Sequence, residues 1–172
     1  MTEVYLGLGS NLGDREENFY RALAELVKLG PLQRSDWYES EPVAMAGAPK
    51  FLNGVVRLWT NVGVYELLSR IQAIEVRLGR ERHPGAPSER KQPRTVDIDI
   101  LFYGQEVIGW QAGAVPADSK LIVPHPRLHE RAFVLVPLAE ISPALRHPVL
   151  GLTVQELLAK VDTHGVKRWK SS

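Results

Sequence analysis

The stretch "PRTVDIDILFYG", residues 93–104, decides the fold. Aliphatic residues such as Ile98 and Ile100 alternate with polar ones, and this pattern predicts a half-buried strand. Two carboxylates, Asp97 and Asp99, interrupt the strand, although aspartate packs poorly in strands and competes for backbone hydrogen bonds. Because strand side chains alternate, both carboxylates share one face and the aliphatic residues share the other. The strand therefore predicts a sheet with one apolar face and one acidic, open face.

The acidic face suggests a metal site. Two like charges this close destabilise each other unless a cation lies beside them. Oxygen ligands without histidine or cysteine favour Mg²⁺ or Mn²⁺ over zinc. On Asp97 and Asp99 alone, a solvated strand without a ligand is an equally acceptable interpretation.

Upstream of this strand the chain is rich in positive charge. Arginine binds phosphate oxygens in a bidentate manner, and lysine acts as a mobile point charge. Cations beside a metal-binding carboxylate pair are what a nucleotide polyphosphate requires. The alternative is a solvated loop whose charge is partly neutralised by glutamates. The basic residues are Arg80, Arg82, Arg90, Lys91 and Arg94.

The rest of the chain predicts an α+β fold. Residues 3–10 and 51–60 have the pattern of apolar strands. Residues 11–30 and 62–80 have the pattern of amphipathic helices, and Asp14 is a candidate N-cap of the first. The order of strand, helix, strand, strand, helix, strand predicts one antiparallel sheet with the helices mainly on one face.

Length and composition are those of an ordinary globular protein. The chain has 172 residues, of which 44% are apolar and 24% charged, so we expect one domain over residues 1–172, with a mobile tail from about residue 162. A net charge of +1 gives no reason to expect nucleic acid or a membrane as a partner. The absence of cysteine excludes disulfides and thiolate metal sites. The N-terminal stretch lacks a signal-peptide pattern, and we expect a cytoplasmic monomer.

The segment "GLGSNLG", residues 7–13, raises the question of a phosphate-binding loop. It lacks the Gly-Lys-Ser/Thr of the Walker pattern and the glycine spacing of the dinucleotide-binding fingerprint. Nucleotidyltransferases combine Gly-Ser with Asp-x-Asp, but there the two parts are close in sequence, whereas Ser10 and Asp97 are far apart. We therefore interpret these glycines as a tight strand-to-helix turn.

Taken together, five segments resemble the 6-hydroxymethyl-7,8-dihydropterin pyrophosphokinase family of folate biosynthesis. They are "GLGSNLGD", "FLNGVV", "IEVRLGR", "PRTVDIDILFYG" and "VPHPRLHERAFVLVPLAEI". The resemblance extends from about residue 3 to residue 160. It implies a ferredoxin-like fold and transfer of a pyrophosphoryl group from ATP to the pterin hydroxymethyl oxygen, with release of AMP. ATP as co-substrate and two Mg²⁺ ions are implied with it.

The resemblance also implies individual roles. Asp97 and Asp99 match the family's Mg²⁺ ligands and count among its catalytic residues, and Asp97 is a candidate to orient or deprotonate the pterin hydroxyl. Residues that match the ATP-phosphate site are Arg80, Arg82, Arg94, His125 and Arg131, of which Arg80 and Arg94 are also candidate catalytic residues. Residues that match the pterin site are Ser40, Val43, Phe51, Asn53 and Phe133, whose two rings would stack on the pterin.

Simpler interpretations of some of these residues stay open. His125 lies in "PHP" and is typical of a turn. Phe51 and Phe133 are also consistent with ordinary core packing. Glu75 matches a family glutamate on the second helix, but an exposed helix carboxylate accounts for it equally well.

Two features depart from the family pattern. The family usually has Arg-Trp-Gly-Pro-Arg before the acidic strand, whereas this chain has "RKQPR" at 90–94, which lacks the aromatic ring. The loop from Arg80 to Arg94 is also a few residues longer than usual. The alignment through the loop is therefore not unique, and it leaves the roles of Arg82, Arg90 and Lys91 open.

Two other classes of function are compatible with the fold. One is an RNA-binding module that uses the basic loop, although its relatives line the sheet face with aromatic rings rather than acids. The other is a different Mg²⁺-dependent phosphotransferase that acts on another heterocycle. AMP release from ATP, with and without hydroxymethyl-dihydropterin, separates all three.

Overall fold

The computed structural model describes residues 1–41, 49–82, 95–110 and 121–169, and of residues 80–82 it describes the backbone alone. Within these ranges the chain forms six strands and four α-helices. The strands are β1 (Thr2–Ser10), β2 (Leu32–Arg34), β3 (Tyr38–Ser40), β4 (Phe51–Thr60), β5 (Asp97–Tyr103) and β6 (Val166–Arg168). The helices are α1 (Arg15–Leu26), α2 (Val64–Arg82), α3 (Ala132–Ile141) and α4 (Val154–Leu158).

All six strands belong to one antiparallel sheet. Its order is β5-β1-β4-β3-β6, and β2 pairs with the far end of β4. With β1, β3, β4 and β5 as the four framework strands, the order and the two crossing helices are those of a ferredoxin-like α+β fold. The predicted fold class is confirmed.

The acidic strand β5 is an edge of this sheet and pairs only with β1 among the described strands. Its aliphatic side chains Ile98 and Ile100 face α1 and α2, where they join a core that includes Leu6, Phe19 and Ile71. The alternation expected from the sequence is therefore present. It ends at a bulge, because the register with β1 shifts between Ile100 and the next paired residue of β5.

The sheet has helices on both faces, but to different extents. The two long helices, α1 and α2, cover one face with a buried apolar layer. The short helices α3 and α4 pack on part of the other face through a second apolar cluster, centred on Tyr5, Leu101 and Phe102. The uncovered remainder of that face is where Asp97 and Asp99 lie.

Local signals explain where the helices begin. The side chain of Asp14 accepts a hydrogen bond from the Glu17 amide at 3.1 Å, so the predicted N-cap of α1 is confirmed. Thr153 and Glu156 form a reciprocal capping box at the start of α4. No helix in the described ranges is both long enough and apolar enough to span a membrane.

The C-terminal segment contains regular structure that the sequence pattern does not indicate. We expected a mobile tail from about residue 162, whereas Val166–Arg168 forms β6, which pairs with β3 at the edge of the sheet. The amide of Trp169 donates to the carbonyl oxygen of Trp37 at 2.8 Å. The guanidinium of Arg15 lies 4.9 Å from the ring centre of Trp169. A strand of one apolar and two basic residues is too short to show a periodic pattern, so its pairing with β3 is what makes it a strand.

Candidate active site

A cleft of about 800 Å³ opens on the uncovered part of the sheet. Its floor consists of β1, β4 and β5, and one wall is the segment that leads into α3. Eight of the residues predicted for the site line this cleft together. They are Ser40, Phe51, Asn53, Asp97, Asp99, His125, Arg131 and Phe133.

The other four residues predicted for the site cannot be placed in this way. Val43 and Arg94 lie outside the described residues, as do Arg90 and Lys91 of the basic loop. Arg80 and Arg82 occupy the last turn of α2, and their backbone alone is described. Their roles therefore stay predictions.

Glycines in the middle of β1 form the floor between the acidic and the amide sides of the cleft. Gly9 pairs with Asp97 on one side and with Asn53 on the other, and Gly7 pairs with Asp99. A Cβ on Gly9 would point at Asn53 Oδ1, 4.0 Å away. We interpreted these glycines as part of a turn, but both lie within the strand. Their common face, two residues apart like the aspartates, was the signal that could have identified them.

The two carboxylates differ in exposure. Asp99 is exposed and Asp97 is half-buried, and both side chains line the cleft. Glu75 of α2 supports them from behind, because its Oε2 accepts a hydrogen bond from the amide of Ile98 at 3.0 Å. Glu75 is only 8% exposed, so the simpler interpretation as an exposed helix carboxylate is wrong. It fixes the backbone of the residue between the two aspartates.

His125 is held in one orientation by the backbone. Its Nδ1 accepts a hydrogen bond from the amide of Arg127 at 3.1 Å, so the proton of the neutral ring is on Nε2. Its own amide donates to the carbonyl oxygen of Leu101 at 2.9 Å, which attaches this segment to β5. Burial lowers the pKa of His125, although the nearby Asp99 acts in the opposite direction. The ring is therefore a neutral donor at neutral pH.

The amide side of the cleft is built around Asn53. Its Nδ2 donates to Ser40 Oγ at 2.8 Å and to the carbonyl oxygens of Tyr38 and Phe51 at 3.3 and 3.4 Å. Both amide hydrogens are thus engaged within the protein, and Oδ1 lies on the side of Gly9. This geometry leaves Oδ1 of Asn53 as the group that can accept a hydrogen bond from a ligand in the cleft.

Two aromatic rings line the same cleft as this amide region. Phe51 and Phe133 are half-buried, line the cleft and are absent from the fully buried core. The guanidinium carbon of Arg131 lies 5.7 Å from the ring centre of Phe133. Phe133 also packs at the border of the second apolar cluster, so one ring face is supported while the cleft remains accessible.

Other cleft residues were not identified from the sequence. They are Asn11, Glu41, Arg127 and Glu130, together with the floor glycines. Both Arg127 and Glu130 are exposed; Arg127 directly precedes the 3₁₀ turn Leu128–Glu130 that leads into α3, and Glu130 is its last residue. Neither residue stands out in a charged sequence, because exposed charges are common and only the fold places these two at the cleft.

The cleft thus combines an acidic strand, two aromatic rings and a basic wall, which is the segment that carries Arg127 and Arg131. On a ferredoxin-like sheet, this combination indicates a transferase that acts on phosphate-containing substrates. A model of the family described as 7,8-dihydro-6-hydroxymethylpterin-pyrophosphokinase (HPPK) matches residues 5–143. The chain belongs to this family. It is an ATP-dependent enzyme that transfers a pyrophosphoryl group to hydroxymethyldihydropterin in folate biosynthesis.

Several relatives are similar over nearly the whole chain. A 2-amino-4-hydroxy-6-hydroxymethyldihydropteridine pyrophosphokinase of Methylorubrum extorquens is 40% identical over 98% of this chain and 99% of its own length. The enzyme of the same name from Bacillus subtilis is 38% identical over 97% of this chain and 90% of its own.

Other relatives are larger proteins of which this chain matches one part. The folic acid synthesis protein fol1 of Pneumocystis carinii is 39% identical, and the chain spans 21% of its length. Among solved structures, a Plasmodium falciparum HPPK-DHPS matches 98% of this chain and 47% of its own with a TM-score of 0.69. At 17% identity this last match supports the fold alone.

Proposed function

We propose that the cleft performs this transfer with Asp97 and Asp99 as ligands of two Mg²⁺ ions, with the ATP phosphates along the basic wall and the pterin over the amide side. The pterin hydroxyl oxygen attacks the β-phosphorus, the bond from that phosphorus to the oxygen of the α-phosphate breaks, and AMP leaves. Such transfers depend on alignment and charge neutralisation more than on covalent help from the protein.

The donor set of the cleft fits magnesium. Mg²⁺ is typically bound by one or two carboxylates and completes its shell with water and substrate phosphates. Asp97 and Asp99 are such a pair, and the described residues contain no cluster of three or more acidic, histidine or cysteine ligands that would favour another metal. When bound, the ions supply positive charge that neutralises the phosphates.

The wall residues of the cleft have separable tasks in this proposal. His125 donates its Nε2 proton to a phosphate oxygen as a neutral group, since Nδ1 is occupied by the Arg127 amide. Arg131 supplies a permanent positive charge beside it. Arg80, Arg82 and Arg94 are proposed to complete the phosphate site, with Arg80 and Arg94 closest to the transferred group.

The amide side is proposed to recognise the pterin. Asn53 Oδ1 accepts from a ring N–H, while Ser40 holds the amide in this orientation through the 2.8 Å hydrogen bond. Phe51 and Phe133 stack on the flat heterocycle. The backbone at Val43 is proposed to read the remainder of the pterin edge. Asp97 is separated from Asn53 only by Gly9 in the register of the sheet, and it is proposed to orient or deprotonate the pterin hydroxyl.

The single observation that carries this proposal is the division of one cleft into an acidic side and an amide-aromatic side, with only the glycine floor of β1 between them. A nucleotide polyphosphate with its metal ions matches the first side, and a flat, polar-edged ring matches the second. We also propose that the protein acts as a monomer in the cytoplasm, which sedimentation and fractionation can examine.

AMP release from ATP in the presence of Mg²⁺, measured with and without 6-hydroxymethyl-7,8-dihydropterin, tests the proposal. We expect release that depends on both compounds and stops with a chelator. Equal release with an unrelated hydroxymethyl heterocycle would indicate a different phosphotransferase. Release that persists without divalent metal would refute the assignment of Asp97 and Asp99.

A further inference from the structure

Two neighbouring histidines, one buried and one half-buried, lie outside the cleft near the segment that forms its wall. His147 is completely buried, in edge contact with the rings of Phe102 and Trp110. His129, whose side chain is 28% exposed, belongs to the turn between His125 and Arg131. The ring centres of His129 and His147 are 6.5 Å apart and the ring planes are nearly perpendicular, at 81°. None of the roles described above uses this pair.

The backbone determines where His147 carries its proton. Its Nδ1 accepts hydrogen bonds from the amides of Val149 at 3.2 Å and Leu150 at 3.0 Å. An imidazole nitrogen that accepts must hold a lone pair, so the proton of the neutral ring is on Nε2. That Nε2 is buried and has no hydrogen-bond partner among the described residues. His147 thus presents one unsatisfied donor.

His129 presents the complementary group. Its Nε2 lies 3.6 Å from Oε1 of Glu130, which favours the proton on that nitrogen, facing the carboxylate. Its Nδ1 then carries a lone pair, and within the described parts of the chain it too is buried and without a partner. A buried donor or acceptor without a partner costs about 1–3 kcal/mol. Two complementary ones on neighbouring rings indicate a common partner.

We propose that one buried water joins His147 Nε2–H to His129 Nδ1, and that this bridge positions the segment carrying His125 and Arg131. The rings are too far apart for a direct hydrogen bond, and polar groups separated in this way are commonly bridged by water. A metal ion is excluded as the bridge, because Nε2 of His147 has no lone pair to offer while Nδ1 accepts its two backbone bonds.

The bridge would give the wall of the cleft a second point of attachment. At its start, the segment is tied to β5 by the hydrogen bond from the His125 amide to the Leu101 carbonyl oxygen. Near its end, His129 would be tied to His147, whose own amide donates to the Leu152 carbonyl oxygen at 2.8 Å. Two such points would restrict movement of the segment along the sheet. The effect on catalysis rests on the proposed function, but the bridge itself does not.

Ring ¹⁵N spectra of the full-length wild-type protein examine the bridge without any assay of activity. We expect His147 to carry its proton on Nε2, and that proton to exchange slowly with solvent. A proton on Nδ1, a rapidly exchanging Nε2 proton or stoichiometric Zn²⁺ binding that shifts both rings would each overturn the proposal. These outcomes do not depend on which substrate the cleft takes.

Three variants then examine the positioning role. His147→Asn keeps an acceptor for the Val149 and Leu150 amides but has no group at the place of Nε2. His129→Leu removes the acceptor, whereas His129→Asn keeps one near the place of Nδ1. We expect His147→Asn and His129→Leu each to raise the KM for ATP about three- to tenfold with a smaller change in kcat.

The coupling between the variants distinguishes a bridge from two separate structural roles. The double variant His129→Leu with His147→Asn should have a KM for ATP no higher than that of either single variant. The single variant His129→Asn should retain most of the ATP affinity of the wild-type protein. Additive effects in the double variant, or equal loss in kcat and KM, would overturn the positioning role. If the wild-type protein itself catalyses no pterin-dependent AMP release although its ring spectra are as expected, the proposed function fails and the bridge stands.

Discussion

The two faces of the central sheet are made by the same strands but differ in almost every physical respect. On the α1–α2 face, Leu6, Leu58 and Ile100 are buried in a continuous apolar layer. On the opposite face, the neighbouring residues of the same strands include Gly7 and Asp99, which line an open cleft. A one-residue step along a strand thus separates the groups that stabilise the fold from the groups that perform chemistry.

The comparison shows why the two carboxylates can be tolerated. The α1–α2 face, called the dry face below, contributes apolar burial at roughly 25 cal/mol per Å². The strand β5 therefore remains bound to β1 although its other side carries two like charges. Changes on the dry face should therefore alter stability, and changes on the cleft face should alter activity.

The largest effect is expected for the carboxylates. Asp97→Asn and Asp99→Asn should each lower pterin-dependent AMP release roughly 10³-fold, because metal-bound charge neutralisation is lost. The midpoint of thermal unfolding should stay equal or rise, since repulsion between like charges is removed. Asp36→Asn is the matched control, an exposed aspartate outside the cleft that contacts Arg168 at 3.4 Å. Near-normal turnover in both cleft variants would contradict the metal-site assignment.

Two glycines of the sheet floor allow the faces to be compared with the same substitution. A Cβ on Gly54 would lie 2.3 Å from the ring of Trp37, so Gly54→Ala should lower the free energy of unfolding by about 1–3 kcal/mol. A Cβ on Gly9 meets only Asn53 Oδ1, at 4.0 Å. Gly9→Ala should fold normally and raise the KM for the pterin several-fold.

Urea unfolding and steady-state kinetics on both glycine variants decide this prediction. Similar losses of stability would show that the floor of the cleft is as tightly packed as the core. An unchanged KM in Gly9→Ala would place the pterin elsewhere in the cleft.

A smaller effect is expected where the two faces are connected. Glu75 reaches from α2 to the Ile98 amide, and Glu75→Ala leaves this buried donor without its acceptor, which should cost about 1–3 kcal/mol of stability. Turnover should fall as well, because the backbone between the aspartates is released. Glu75→Gln should retain most of both. Glu66→Ala on the exposed side of the same helix is the control, with a change within about 0.5 kcal/mol. Equal losses in Glu75→Gln and Glu75→Ala would show that charge and not backbone support is what Glu75 provides.

The last effect is negligible at neutral pH and appears only in acid. Burial lowers the pKa of His147 from 6.5 to about 4, and the nearby His129 acts in the same direction. Between these two values the unfolded chain binds a proton that the folded protein does not, so stability is retained above about pH 6.5 and declines as the pH falls towards 4. His147→Asn should flatten this part of the stability profile. An unchanged slope in urea unfolding series would show that other groups dominate.

Much of this architecture follows from periodicity. Alternation in β5 and the helical spacing in α1 and α2 were sufficient to predict the antiparallel sheet and the face on which Asp97 and Asp99 lie. The N-cap at Asp14 was predictable because one side chain and the next turn of backbone decide it.

Other features depend on contacts distant in sequence. The strand β6 forms because β3 offers an edge with which it can pair, and no pattern in Val166–Arg168 predicts it. The buried state of Glu75 depends on the approach of β5, and the floor role of Gly7 and Gly9 depends on which strands lie beside β1. A short local pattern cannot encode such neighbours.

The bulge in β5 has a consequence for how this strand tolerates change. Tyr5 pairs with Phe102 and Leu6 with Ile100, so Leu101 is the extra residue. Deleting it would restore a regular register in which the residues before and after it keep their present faces, and the carboxylates keep their orientation. Losing a residue between Asp97 and Ile100 would instead misorient part of the acidic pair. Deletions within β5 therefore differ in their effects. A deletion before the bulge alters the orientation of the carboxylates, whereas a deletion at the bulge alters only the packing around it.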